Sequence, residues 1–303
     1  MYIHTRSDGK LFNLARLRDK TKVSKVLVRE LLFADDAALV SHSASSLQCL
    51  LNKFSVACYE FALVISTKKT VVMHQGDPSP VMVNNQQLES VKNFEYLRST
   101  INRGLTIEQE LQTRIGRAAS SFCRLRERAW QNKFLTVHTK CHIYECCILN
   151  TLLYGAETWT TYARHEKKLN AFHPRCLWRI MGINRWDRFT NEEVLSRAGS
   201  RSLFQTLKMR RMRWLGHLRR MPDGHLPKDI LCSELCTGSR SRGRPMLHFK
   251  EVAKCDLVAL NIDTKKWVEL AEDRTGWRNA LRKRVEALED RWLEQLAIQR
   301  LAL

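Results

Sequence analysis

Residues 31–40 read Leu-Leu-Phe-Ala-Asp-Asp-Ala-Ala-Leu-Val, so Asp35 and Asp36 form an adjacent carboxylate pair inside an apolar run. An unpaired carboxylate is costly to bury, and two in succession call for a physical reason. One is metal chemistry. Mg²⁺ takes hard oxygen ligands, commonly one or two carboxylates completed by substrate phosphates, and a pair at a hairpin tip suits that arrangement. The other is a plain turn, for which Asp is among the favoured residues.

A second set of residues points to a polyanion. Arg210, Arg211, Arg213, Arg219 and Arg220 lie in one helical stretch with Trp214 among them, and Arg240, Arg242 and Arg244 follow in Thr-Gly-Ser-Arg-Ser-Arg-Gly-Arg-Pro. The planar arginine fork donates two parallel hydrogen bonds to phosphate. The whole chain carries a formal charge of +20 with pI near 9.8. Residues 201–250 contribute +9 and residues 251–303 are balanced. Such an imbalance is the electrostatic footprint of a nucleic-acid partner. The same helix also reads as an amphipathic element whose Leu207, Met212, Leu215 and Leu218 cover a core. The preceding stretch, with Ala198-Gly199 at a turn, leaves a helix-turn-helix open as well.

These residues need an α+β scaffold. Residues 25–33 are branched and apolar and predict a strand, and 37–42 a second, with the aspartates at the tip between them. Ser43 is a candidate cap for a helix carrying Leu47, Leu50, Leu51, Phe54, Ala57, Cys58 and Phe61 at helical spacing. Short strands are expected at 64–66 and 70–74, and a further strand pair around 81–83 and 93–101. The pattern then becomes helical, at roughly 105–131, 135–160, 163–181, 190–198 and 202–220. A loop with Pro222, Gly224 and Pro227 leads to a short apolar piece at 228–236, a linker near 237–245, and a helical tail. Three sections follow: 1–101, a small antiparallel sheet with its helix; 102–186, helical; 187–303, basic and helical. With 44% hydrophobic and 27% charged residues, wholesale disorder is not expected.

The ten cysteines include no Cys-x-x-Cys and are expected as free thiols of a reducing compartment, with Cys146 and Cys147 in the core. Cys232 and Cys236, with His225 and His248 nearby, fit no standard zinc spacing. Trp159, Trp178, Trp214, Trp267 and Trp277 sit in apolar helical patterns and are expected to pack rather than stack on bases. No secretory signal or bilayer-length apolar run is visible, so the expected location is intracellular, nucleus or cytoplasm, with no membrane partner.

The segment from Arg29 through Gly76 resembles palm motif C of the reverse transcriptases of non-LTR (LINE-type) retrotransposons: an aromatic-Ala-Asp-Asp hairpin, a helix, then a strand with Lys68-Lys69-Thr70. Val91–Ile101 is similar to the primer-grip hairpin that follows. Leu152–Thr160 and Phe172–Ile183 are similar to the helical thumb and connector. Arg185–Gly199, Arg210–Met221, Arg240–Pro245 and Asp273–Arg278 are similar to the C-terminal part, most closely of the RTE-like group. The resemblance implies a partial palm, a helical thumb, a basic C-terminal domain, and RNA-directed DNA synthesis with Mg²⁺ on RNA and DNA.

Residue by residue, it implies that Asp35 ligates the metal with Asp36 in support, that Phe33 fills the aromatic position, and that Lys69 lies near the incoming nucleotide's phosphates. Tyr96 and Leu97 would position the primer terminus; the family typically has Gly where this chain has Arg98. The family also needs another aspartate from an upstream palm strand, and fingers. Only 34 residues precede Asp35, and Asp8, Asp19 and Glu30 stand in no matching context. The resemblance therefore implies half a catalytic site, weak metal binding, and no independent polymerase activity, the upstream palm, fingers and endonuclease being absent from these 303 residues. A non-enzymatic nucleic-acid-binding remnant is the alternative.

Overall fold

A computed structural model describes residues 1–8, 11–13, 15, 17, 19, 21–76, 79–236 and 246–301. The fold is α+β and divides into two units. The first comprises residues 1–7, 14–110 and 232–240; the second comprises 8–13, 111–231 and 241–303.

The first unit holds short strands and one long helix. Strands β1 (Tyr2–Thr5), β2 (Ser24–Leu27), β3 (Glu30–Phe33) and β4 (Asp36–Leu39) precede α1 (Ala44–Glu60). The single strand expected over 25–33 is broken at Val28-Arg29. There the Val28 amide donates to the Met1 carbonyl (2.7 Å), while Val40 N–H donates to the Arg29 carbonyl and opens a separate β3–β4 hairpin. Ser43 caps α1, accepting from the Ser46 amide at 3.2 Å. The helix ends by a left-handed turn at Ala62 (φ 55°), with Leu63 N–H donating to the Cys58 carbonyl and Ala62 N–H to the Tyr59 carbonyl. That is the Schellman closure, with Ala where Gly is usual. It leaves residues 64–66 as a connection without strand pairing rather than the expected strand.

Next come β5 (Val71–Val72), β6 (Met82–Val83), β7 (Gln86–Gln87) and β8 (Glu89–Ser90), with β5–β8 parallel and β6–β7 antiparallel. They are followed by the hairpin β9 (Asn93–Tyr96) and β10 (Ser99–Asn102). Leu51, Val72, Val81, Val83 and Leu88 form the core, with Leu39, Leu47 and Ile65 packed against it. The Gln48 side chain fixes α1 to β6, accepting from the Met82 amide and donating to its carbonyl, both at 2.8 Å.

The second unit is helical: α2 (Glu108–Arg124), a π-wound segment Arg126–Trp130, and α3 (Val137–Ile143) running through π-wound Tyr144–Leu149 into α4 (Asn150–Leu152). Then follow α5 (Ala163–Met181), α6 (Asn191–Ala198), α7 (Leu203–Arg220) and α8 (Leu226–Cys232). Residues 228–236, expected as one apolar piece, are the end of α8 plus β11 (Ser233–Leu235), which pairs antiparallel with β1 in the first unit's three-stranded sheet. The chain closes with α9 (Phe249–Ala259), α10 (Trp267–Glu272) and α11 (Arg274–Leu301). The basic linker at 237–245 lies outside the described residues.

Helix α7 is the central strut, packed on by α5, α9, α10 and α11. Its Leu203, Leu207, Met212 and Leu215 are fully buried. Gly216 lets α11 approach: a Cβ built there would lie 2.7 Å from Trp277 Cδ1, inside van der Waals contact. The Trp277 indole N–H donates to the Met212 carbonyl at 3.0 Å. Trp159, Trp267 and Trp277 are buried, as expected of packing residues. Cys146 and Cys147 are not. They face solvent, because the buried stripe of that helical run is Cys141, Tyr144, Ile148 and Leu152. All ten cysteines are free. Among the described residues, no helix is long and apolar enough to cross a membrane.

Candidate nucleic-acid and metal sites

Phe33 pairs with Asp36 across the β3–β4 hairpin, so the connection is the two residues Ala34-Asp35. Ala34 adopts φ 50°, the left-handed region that a tight turn of the II′ class requires at its first position and that Gly occupies at no cost. Asp35 follows at the turn and Asp36 opens β4. Both are exposed, as are Leu32, Phe33, Ala34 and Ala37, with Leu32 and Phe33 each 63% exposed. The premise of buried carboxylates is thereby corrected: the hairpin is a free two-stranded ribbon whose tip is wet, so its charges need no internal partner.

The ribbon is anchored at its base. Leu39 packs with Leu47 of α1 on the unit's core, and the Tyr96 hydroxyl donates to the Leu31 carbonyl at 3.0 Å. This bond joins the β9–β10 hairpin to the strand that carries the aspartates. At the β9–β10 turn, Leu97 (φ 47°) and Arg98 (φ 68°) are both left-handed, the geometry of a type I′ turn, in which Gly is favoured at the second position. Lys69 is exposed in the turn Ser66–Thr70 that leads into β5, its amide donating to the Ser66 carbonyl (3.0 Å).

The other acidic residues before the hairpin are engaged elsewhere. Asp19 accepts from the Thr21 amide and hydroxyl and pairs with Arg6 at 3.2 Å, contacts that together hold its carboxyl below the usual range, with the Thr21 amide bond contributing most. Glu30 pairs with Arg29. Among the described residues no three His, Cys, Asp or Glu side chains converge, which leaves Asp35 and Asp36 a two-carboxylate site and gives Cys232 and Cys236 no zinc set. Two hard oxygen donors beside an open tip fit one Mg²⁺ whose remaining ligands come from water or phosphate.

The arginines of α7 divide by burial. Arg211 is corrected outright: at 1% exposure its Nε donates to Asp256 Oδ2 (2.7 Å) and its Nη1 to the Thr161 hydroxyl (2.8 Å), with Glu166 3.8 Å away. Lys208 donates to the other Asp256 oxygen at 2.6 Å. A guanidinium so enclosed has no donor left for a phosphate. Arg210 is half spent on the fold, donating to the Leu153 carbonyl (2.8 Å) and Asn150 Oδ1 (3.2 Å). Arg219 pairs with Glu272 and Arg220 donates to the Ala271 carbonyl, tying α7 to α10. Arg213 remains exposed. Arg240, Arg242 and Arg244 lie outside the described residues.

A helix-turn-helix outline does exist. Thr190 caps α6 and Gly199 (φ 60°) closes it before α7. Yet the start of α7, which would read base edges, is buried at Leu203, Gln205, Leu207 and Lys208, so it cannot enter a groove. Sequence reasoning also missed Trp186, which is 91% exposed. Its position in the short stretch between two helices was the available signal, because a tryptophan outside any apolar periodicity has no stripe to join.

Over 266 residues the chain is 23% identical to a Caenorhabditis elegans protein named "Putative uncharacterized transposon-derived protein F52C9.6", covering 84% of this chain and 95% of that protein. No family model matches the chain. No solved structure matches it.

Proposed function

We propose that this chain derives from a transposable element and is the portion of a non-LTR, RTE-like reverse transcriptase that runs from the catalytic hairpin through the thumb to a basic C-terminal domain. One observation carries the reading: an aromatic-Ala-Asp-Asp hairpin presents two exposed carboxylates at its tip and is joined by the Tyr96–Leu31 hydrogen bond to a second hairpin lying where the primer-grip segment is expected. The likeness to a protein named as transposon-derived supports the element origin.

In this reading Asp35 and Asp36 would hold Mg²⁺, which when bound supplies charge neutralisation for phosphoryl transfer. Lys69 contributes a cation for nucleotide phosphates, and Tyr96 with Leu97 shapes the surface under the primer end. Two carboxylates make a weak metal site, since phosphoryl transfer relies on ligands converging from several strands. The 303 residues alone are therefore expected not to extend a primer. The absence of a third acidic side chain at the hairpin, among the described residues, also favours a second reading in which the chain acts only as a nucleic-acid-binding protein.

The test is a graft. Residues 30–60 replace the corresponding hairpin and helix of an active non-LTR reverse transcriptase. Primer extension on RNA should survive the graft and fall to background with Asp35→Asn. A folded chimera that is inactive, or one indifferent to Asp35→Asn, would overturn the reading.

A further inference from the structure

Helices α7 and α11 run antiparallel against each other: Trp277 bonds the Met212 carbonyl, and Arg201 at the start of α7 pairs with Glu286 further along α11 (3.0 Å). Arg213 is next in chain to Met212, and Arg278 is next to Trp277, so the contact that closes the two helices sets these arginines on either side of the seam. Both are exposed, as is Arg282, one turn beyond Arg278 on the same side of α11. Partial desolvation, then the like charges of Arg278, Arg201 and Arg210, lower the Arg213 guanidinium from its ordinary range, which places the four cations within electrostatic reach of one another. Three acidic groups act on this set among the described residues: Glu286, bonded to Arg201, Glu289, which also acts on Arg201, and Glu157, which acts on Arg210.

The charge order along α11 points the same way. Residues 274–284 carry Arg274, Arg278, Arg282, Lys283 and Arg284 and no acid, whereas Glu286, Glu289, Asp290 and Glu294 follow. Cations at a helix N-terminus oppose the macrodipole, and like charges four residues apart repel. Arg284 is explained by packing, since it donates to the Leu260 and Asn261 carbonyls. Nothing in the packing accounts for Arg278 and Arg282, and folding stability disfavours their placement.

We propose that the α7–α11 seam is a track for a nucleic-acid phosphate backbone, with Arg213, assisted by Arg210, on one side and Arg278 and Arg282 on the other. The inference rests on the nucleic-acid partner of the reading above but relocates the contact surface: the working cations come from two helices, one of them in the segment that is electrically balanced in sequence, while Arg211 belongs to the interior. The recognition is of backbone charge, through arginine forks, with no base reading.

The experiment uses the full chain and fluorescence anisotropy of a labelled DNA duplex and a labelled single-stranded RNA over a series of salt concentrations. The Arg213→Gln, Arg278→Gln, Arg282→Gln triple variant should bind more weakly, with the slope of log K against log salt reduced by about 0.9 per lost contact on duplex and about 0.7 on single strands. The corresponding lysine variant should keep most of the slope, and the glutamine variant should melt no lower than wild type, because the side chains are exposed and their charges oppose the helix dipole and one another. Wild-type slope and affinity in the glutamine triple variant would overturn the track, as would competition by polyglutamate equal to that by nucleic acid. Failure of the wild-type chain to bind either probe would overturn the track together with the nucleic-acid partner, leaving the hairpin graft to judge the polymerase ancestry separately.

Discussion

The buried ion cluster at α7, α9 and α5 makes the sharpest stability prediction. Asp256 is enclosed between Lys208 and Arg211, the side chains of the three being 2%, 8% and 1% exposed. With Glu166 at 3.8 Å from Arg211, the set is two cations against two carboxylates. Asp256→Ala leaves two buried cations facing one partly exposed acid. Removing one partner of a buried pair typically costs about 3–5 kcal/mol, because the remaining charge is desolvated without compensation. For a domain of roughly 150–250 residues, each kcal/mol shifts Tm by about 2–4 °C, so the expected loss is roughly 6–20 °C. The combined variant Lys208→Met, Arg211→Met, Asp256→Leu removes all three charges and fills the space with apolar volume; it should sit near wild type or above it. Thermal and denaturant unfolding followed by tryptophan fluorescence reads both, since Trp267 and Trp277 are buried in the same unit. A loss below about 1 kcal/mol for Asp256→Ala, or a triple variant as damaged as the single one, would refute the reasoning. Arg211→Met with an unaltered melt but weakened nucleic-acid binding would return Arg211 to the surface role that its burial denies.

Two further outcomes follow from local geometry. His173 accepts from the Tyr144 hydroxyl at Nδ1 (2.9 Å) and donates from Nε2 to the Arg201 carbonyl (3.2 Å), and burial holds its imidazole down at about 4 against an ordinary 6.5. The unfolded chain therefore binds the extra proton first: stability is full above pH 6.5, falls as pH drops toward 4, and loses roughly 3 kcal/mol in all. In His173→Gln that part of the pH dependence should vanish from the variant's own profile, so the wild-type-minus-variant unfolding free energy should fall by roughly 3 kcal/mol as pH drops from 6.5 to below 4, and a difference that is flat with pH would contradict it. At the β9–β10 turn, Arg98→Gly should raise stability by about 0.5–1 kcal/mol by relieving the left-handed conformation. A destabilised melt would show that the arginine side chain, not the turn, governs this site.

Much of the scaffold was legible because its signals are local. Ser43 announces α1 by offering an oxygen to an otherwise unpaired amide, and the unbroken spacing of apolar residues marks α5, α6 and α7 nearly to their ends. The hairpin around the aspartates was legible as well, although its turn is Ala34-Asp35 with Asp36 already in β4, one residue earlier than an Asp35-Asp36 tip.

What escaped depends on partners distant in sequence. The β1–β11 pairing joins residues at opposite parts of the chain, and the break at Val28-Arg29 falls where pairing with the Met1 end of β1 stops at Val28 and pairing with the β4 side begins at Arg29. Arg211 looked like its neighbours by type, yet its spacing from Leu207 and Leu215 sets it on the apolar stripe, and a lone acid, Asp256, stands on the buried face of α9 beside Val252, Ala253 and Leu257. That pairing of a misplaced cation with a misplaced anion was the available clue. Arg278 and Arg282 stayed hidden because charge summed over residues 251–303 cancels, whereas charge on one side of a helix does not.

The central claim is that Asp35 and Asp36 form a divalent-metal site at the tip of a polymerase-type hairpin. Its most direct measurement is Mn²⁺-induced paramagnetic broadening of backbone amide signals in the 303-residue chain. Broadening should centre on Phe33–Ala37 at low Mn²⁺, be displaced by excess Mg²⁺, and disappear in the Asp35→Asn, Asp36→Asn double variant. Broadening centred elsewhere, or unchanged in that variant, would contradict the claim.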